Sequence, residues 1–256
     1  LFRHIAAAFP ELTYYDADIP LHLRFAARYN AFPLACCCVD FDEQQVIQAI
    51  EILDTPWDLD PIPAPLRIMH LEPDVDPAHR QPRQLFVQVE RHTYHLDFPI
   101  QELRTSVRPF LINLRTLLQR HDPDLLLTAW GDTWLLPYLI DLAQTHGLPL
   151  PLNRDPHQPV AYRPERSYFS YGQVIYRGRQ VHLFGRCHID RCNAMLWDDY
   201  DLEGVLETAR ITSLPIQTAA RVSPGSGISA MQMVTALRQG ILIAWHKQQA
   251  ERHKTA

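Results

Sequence analysis

The sequence predicts an α/β layered domain built on a mixed sheet, and three observations predict it. Segments 66–72 (LRIMHLE), 84–90 (QLFVQVE) and 93–98 (TYHLDF) are short, largely apolar and separated by polar, turn-forming residues, so they read as strands. After residue 100 the apolar spacing changes to steps of three and four, the signature of a helix with one buried face. LLLTAW at 125–130 is a short continuous apolar run, as expected of a central strand covered on both faces. Strands, helix, buried strand and further helices make a two-layer or three-layer α/β arrangement.

Taken in order, residues 1–60 are mixed, opening with Tyr14, Tyr15, Asp16 and Asp18, followed by a helical PLHLRFAARYN. Pro56, Pro61, Pro63 and Pro65 then crowd DTPWDLDPIPAP. Each proline fixes φ and removes a backbone donor, so this segment reads as an extended joint and the likeliest domain boundary. Leu103, Val107, Phe110, Leu111, Leu114, Leu117 and Leu118 form the stripe of the first long helix, which ends near HDPD. DTWLLPYLIDLAQTHG reads as a second helix, with Asp132 or Thr133 as N-cap, Pro137 in its first turns and Gly147 as the residue that ends it. A loop over 151–166 leads into SYFSYGQVIYRGRQVHLFG, whose alternating aromatics suggest a hairpin turning at Arg177-Gly178. From Cys192 to Lys247 the pattern is mostly helical, broken at VSPGSG.

Composition narrows the function. With 256 residues, 46% hydrophobic and 21% charged, the chain holds one large domain, or one and an appendage. It has no apolar run of about 18 residues, the length needed to span a membrane, and its first residues lack the apolar core of a secretory signal. A net charge of −5 argues against a strongly basic nucleic-acid binder while leaving room for a local basic patch. Five cysteines, three of them adjacent (Cys36, Cys37, Cys38), make a poor disulfide framework and suit reduced thiols in a cytoplasmic protein. Cys187, His188 and Cys192 resemble zinc ligands, but no second pair completes four-coordination. There is no GxSxG, P-loop, GxGxxG at a strand–helix junction or HExxH, and the 13 histidines, His79 and His92 among them, are scattered.

Five collinear segments carry a resemblance. YYDADIPLHLRF, RIMHLEPD, HDPDLLLTAWGDTWLLPYL, DYDLEGVLETARITSLPIQ and SPGSGISAMQMVTALRQGILIAWHKQ together resemble the amino-terminal half of a family B DNA polymerase. They match its N-terminal domain, the three motifs of its 3′–5′ exonuclease domain and the segment leading toward the palm. The resemblance implies a ribonuclease H-like sheet in 61–222, a small polymerase N-terminal domain in 1–60 and a helical linker toward the palm in 223–256. No Asp-containing polymerase motif follows Lys247, so nucleotide binding and addition in DNA replication are expected to belong to the rest of a parent enzyme.

The family's exonuclease holds two divalent metals about 4 Å apart on carboxylates, since hard cations take oxygen ligands. On the motif register its four acids and tyrosine fall here on His70, Glu72, Leu135, Gly204 and Tyr200. Leucine and glycine offer no side-chain donor, so the expectation is an inactivated exonuclease with no metal or other cofactor in this stretch. Mg²⁺ or Mn²⁺ would serve only the parent polymerase. Asp74, Asp132, Asp201 and Glu203 are the nearest substitutes, and on them rests the alternative of an active exonuclease with rewired ligands. Plainer roles also suit these positions: Glu72 as a surface acid, His70 as a packed histidine, Tyr200 as a packing aromatic. A third alternative is a stand-alone interaction module derived from a polymerase.

The expected partners are DNA, single-stranded or primer–template and bound weakly, and the remaining polymerase domains, with no membrane. Arg163, Arg166, Tyr168, Tyr171, Tyr176, Arg177, Arg179 and Arg186 interleave cations with aromatic faces, the combination that grips phosphates and stacks on unpaired bases. Arg221, Arg238, His246 and Lys247 approach the palm junction and are the second group of candidates. A cross-strand aromatic ladder with no DNA role is the competing reading of the hairpin.

Overall fold

The computed structural model describes residues 2–99, 107–170, 172–195 and 197–244. It divides into two compact units, one of Pro65–Asp201, the other of the segments before 65 and after 201. Residues 202–222, assigned above to the exonuclease-like region, therefore cluster with the N-terminal segment.

The N-terminal segment begins with α1 (Phe2–Ala8), of which only Ala6 is buried, and α2 (Leu21–Tyr29), which buries Leu23 and Ala26 and ends at Asn30 with φ 54°. Strands β1 (Cys37–Phe41) and β2 (Ile47–Ile52) pair antiparallel, Cys37 opposite Ile52. Asp42 organises the turn between them, its Oδ1 accepting the N–H groups of Gln44 and Val46 at 2.9 Å each. All five cysteines are free.

Pro65 starts the sheet unit. Its elements are β3 (Ile68–Pro73), β4 (Gln84–Val89), β5 (His92–Asp97), α3 (Val107–His121), β6 (Leu125–Thr128), a π-helical turn over Gly131–Leu135 and α4 (Leu136–Thr145). Four short strands follow, β7 (Ala161–Arg163), β8 (Arg166–Ser170), β9 (Gln173–Arg177) and β10 (Gln180–His182), and then β11 (Cys187–Asp190). The main sheet runs β11-β6-β3-β4-β5. Its first three strands are parallel, and β4 and β5 return antiparallel. This is a ribonuclease H-like mixed sheet flanked by helices, as the strand–helix order predicts. Alternation decides which side chains enter the core: Met69 and Leu71 of β3, and Leu85, Val87 and Val89 of β4, pack with Phe110, Leu111, Leu114 and Leu118 of α3 and with Leu136 and Leu139 of α4. All four residues of β6 are buried, as its unbroken apolar run requires.

Two local expectations are corrected. Asp132 does not cap α4, which has no side-chain N-cap; Asp132 lies inside the preceding π-helical turn, and Gly147 follows the helix end with φ 63°. The hairpin does not turn at Arg177-Gly178. β8 and β9 close on each other at Ser170 and Gln173, where Gly172 has φ 80°, a backbone region that glycine enters without steric cost. Gly178 instead falls between β9 and β10, and β10 pairs with β7. The predicted start of the first long helix, residues 100–106, lies outside the described residues.

The last elements are α5 (Trp197–Thr212), α6 (Ile216–Ala219) and α7 (Pro224–Arg238). Asp201 breaks the helical geometry of α5 (φ 48°, ψ −151°) at the boundary between the units. The break expected at VSPGSG falls over residues 220–223, between α6 and α7, and Pro224 begins the next helix. Pro224 occupies the first turn of α7, where its missing N–H costs no hydrogen bond. Ile19, Leu23, Ala26, Ala209, Leu214, Ala219, Ala230 and Val234 make this unit's core. Arg210 ties down the proline-rich joint, donating to the Thr55 and Asp58 carbonyls at 3.2 and 3.1 Å while paired with Glu207 at 2.7 Å.

Candidate functional site

Strand β3 is the natural starting point, because its alternation puts Met69 and Leu71 in the core and His70 and Glu72 on the opposite face. In the register His70 lies opposite Leu127 of β6, and Leu127 opposite Ile189 of β11, so these three share one face. Continuing that alternation by one pair brings Glu72 and Arg191 to the same face, two strands apart. At about 4.8 Å per strand the gap is close to 10 Å, which only long side chains bridge. Ala129, between them, projects a methyl group only. Arg191 Nη2 donates to Glu72 Oε1 in an ion pair whose partners are 38% and 41% exposed. The half-buried His70 imidazole titrates below its ordinary value, first because burial disfavours its charged form and then because the Arg191 cation repels it; Glu72 acts weakly the other way.

The backbone fixes Arg191 in place. Its N–H donates to the Thr128 carbonyl at 2.9 Å, extending the parallel ladder by one residue. Asp190 then folds the chain over, Oδ1 accepting Cys192 N–H at 3.0 Å and its carbonyl accepting Asn193 N–H at 3.0 Å. Beside this turn lies a cleft of about 550 Å³ lined by Arg191, Cys192, Ala194, Trp197, Asp198 and Asp199.

On the core side of the same strands a polar network is fully enclosed. His188 Nδ1 donates to the Val181 carbonyl at 2.9 Å and lies 3.5 Å from Asp132 Oδ1, while Nε2 is hydrogen-bonded to the Thr128 hydroxyl at 2.9 Å. Asp132 accepts Val181 N–H at 2.7 Å and Asn193 Nδ2–H at 2.9 Å, and its own N–H donates to Asp190 Oδ2 at 2.9 Å. Asp132, His188 and Asp190 are buried, and these bonds employ both oxygens of each carboxylate. Asp132 and His188 are thus both engaged in hydrogen bonds within this buried network.

The donor set does not fit two divalent cations. Leu135 is fully buried in the hydrophobic core. Gly204 lies inside α5, its carbonyl accepting the Thr208 hydroxyl at 2.7 Å, and Tyr200 is 62% exposed near the start of that helix. Asp74 is committed to the backbone of Arg83 and Gln84, which donate to its Oδ1 at 2.9 and 3.2 Å. Among the described residues no group of three or more His, Cys, Asp or Glu is arranged to hold a metal ion.

Basic residues do gather around the strands from 161 to 182. Arg163, Arg166 and Arg179 are exposed and Arg177 is half-buried. Arg166 faces Arg177 across the β8–β9 pair, while Phe169 faces Val174 and Ser167 faces Tyr176. Phe169, Val174 and Tyr176 are 73%, 73% and 63% exposed, and the Tyr176 hydroxyl donates to Glu165 Oε2 at 2.7 Å. Three further candidates donate to backbone carbonyls. Arg186 is buried, donating to the Pro123, Pro151 and Leu152 carbonyls and to Asp122. Arg221 is 4% exposed, with Nη1 on the Gln217 carbonyl at 2.8 Å, and Arg238 donates to the Ala26 carbonyl. Tyr171, His246, Lys247 and the Tyr168 side chain lie outside the described residues. Arg191 and Trp197 escape a linear reading, because only the strand order brings Arg191 to Glu72, 119 positions away.

No family model matches the chain. Curated relatives do: a DNA polymerase of Pyrococcus glycovorans is 35% identical over 95 residues, and DNA polymerase 1 of Pyrococcus abyssi 32% identical over 95 residues. Each match covers 37% of this chain and 11% of the relative. The solved structure of the family B DNA polymerase from the hyperthermophilic archaeon Pyrobaculum calidifontis superposes with a TM-score of 0.56 at 17% identity, covering 89% of this chain and 37% of that one. The matched stretch thus spans about a tenth of the length of the curated relatives, and the chain's likeness to the polymerase structure is one of fold. Among the described residues no helix is long and apolar enough to cross a membrane.

Proposed function

We propose that this chain is a DNA-contacting, non-catalytic scaffold region of a family B DNA polymerase, with a degenerate exonuclease site. The observation that carries the reading is the outward face of β3: on a ribonuclease H-like sheet, the strand that resembles the first exonuclease motif presents His70 and Glu72 as its polar side chains, and Glu72 is already paired with Arg191. One committed carboxylate does not support two-metal hydrolysis. The remaining polymerase domains and DNA are the expected partners, and the cations around Arg166, Arg177 and Arg179 are the phosphate contacts.

Two measurements test this. Incubating the chain with an end-labelled single strand and Mn²⁺ should give no 3′–5′ shortening; progressive shortening would establish the rewired exonuclease instead. In fluorescence anisotropy, single-stranded or primer–template DNA should bind weakly and more weakly as salt rises, because phosphate contacts release counterions. Replacing Arg177 and Arg179 together by Ala should lower affinity equally for all sequences and flatten the logarithmic salt slope for single strands by about 1.4, at about 0.7 per lost contact. Unchanged affinity at low salt would make the hairpin a structural ladder only.

A further inference from the structure

We propose that Arg191 is a resident cation, standing where the family's fold places divalent metals and closing this face to them. The inference rests on reading the face as a former metal site, and its basis is the mismatch between the residues present and that metal pair. Glu72 is the one acid left from the first motif, and a carboxylate on a half-covered sheet face pairs favourably with a guanidinium within reach. Arg191 supplies one from within the chain. The guanidinium reaches Glu72 across the strand between them, and three features hold it there: the Thr128 bond to its N–H, the Asp190 turn that follows and the small Ala129 beneath its path. Guanidinium is always charged and its planar fork suits a carboxylate, so the pairing persists across the physiological pH range. A divalent ion approaching Glu72 meets a fixed positive charge and must displace a hydrogen-bonded donor.

The arrangement also explains why losing several acids leaves the sheet face intact. With Arg191 present, Glu72 carries no unbalanced charge, and removing the other acids reduces repulsion without exposing a hole. Burial and then the same guanidinium disfavour the charged form of His70 beside it.

The test requires no DNA, so it stands or falls apart from the DNA-contact reading. Mn²⁺ is titrated into the ¹⁵N-labelled chain, and paramagnetic broadening of the His70, Leu71 and Glu72 amides is followed. The parent and Arg191→Lys, which keeps the charge, should resist broadening into the millimolar range. Arg191→Gln should broaden at a Mn²⁺ concentration lower by on the order of ten-fold or more, and adding Glu72→Gln should abolish that gain. Arg191→Met serves as a second neutral variant should the glutamine form fold poorly, with amide dispersion elsewhere as the check. Equal broadening in the parent and in a folded neutral variant would overturn the proposal, as would Arg191→Lys behaving like Arg191→Gln.

Discussion

Gly131 sits where an added Cβ would fall 1.8 Å from Thr128 Oγ1 and 2.6 Å from His188 Nε2. Both atoms belong to the buried network, so neither can move without breaking the Thr128–His188 bond or pushing His188 off the Val181 carbonyl. Gly131→Ala therefore combines overpacking with a lost buried hydrogen bond and should destabilise the protein by about 3 kcal/mol, read as a lower midpoint in chemical denaturation. The glycine is needed for space and not for backbone freedom. Thr128→Val provides the matching control: it keeps the shape, removes the hydroxyl and should cost about 1–3 kcal/mol by leaving His188 Nε2 without that partner.

At the scale of elements, the link between α3 and β6 depends on charge. Asp122 and Asp124 follow α3 and gather Arg67, Arg154 and Arg186, with Arg154 at 2.8 and 2.6 Å from the two carboxylates. The hydrogen bond from Arg154 holds Asp122 below its ordinary value. For Asp124 partial burial pulls the other way, yet bonds from Arg67 and Arg154 outweigh it and leave its value far down. A carboxylate depressed in the folded state contributes stability that is complete above its unfolded value, near pH 4, and drains away as pH falls toward the folded value. His22 and His70 act earlier on the same scale: burial lowers both, so their contribution is complete above about pH 6.5 and declines as acid charges the unfolded chain. Denaturation midpoints should thus fall in two stages, near pH 6 and below pH 4. Asp124→Asn should remove part of the second stage and leave the first unchanged; loss of the first stage in that variant would contradict the assignment.

For the molecule as a whole, cooperativity should follow the two units and not the order of the chain. Helices α2 and α7 are about 200 residues apart in sequence, yet Leu23 and Ala26 share a core with Ala230 and Val234, and Asp16 binds Ile243 through backbone and side chain at 2.8 and 2.9 Å. Leu23→Ala removes a side chain that is 2% exposed and should cost about 2–5 kcal/mol. In native-state hydrogen exchange the amides of α2 and α7 should lose protection together, while β3 and β6, which answer to the other core, keep theirs. Loss in α2 alone would show that the shared core is not one unit.

Local patterning determined a good deal by itself. The alternation of β3 and β4, the unbroken run of β6, the three-and-four spacing of α3 and the proline joint are each readable within a dozen residues, because burial on one face imposes a period on the chain. The five collinear segments also carried the likeness to family B polymerases. Other features were beyond any linear reading. Asp132 had the look of a cap, and the tertiary structure took it inside to satisfy Val181 and Asn193; Arg186 and Arg221 had the look of surface cations and were buried on carbonyls. The hairpin's aromatics were legible, but its turn moved to Gly172, because cross-strand register and not aromatic content sets where two strands meet. Above all, the pairing of Glu72 with Arg191 depends on β11 and β3 flanking β6, an adjacency created by sheet order. Periodicity reports which way a side chain faces, and only topology decides what it meets there.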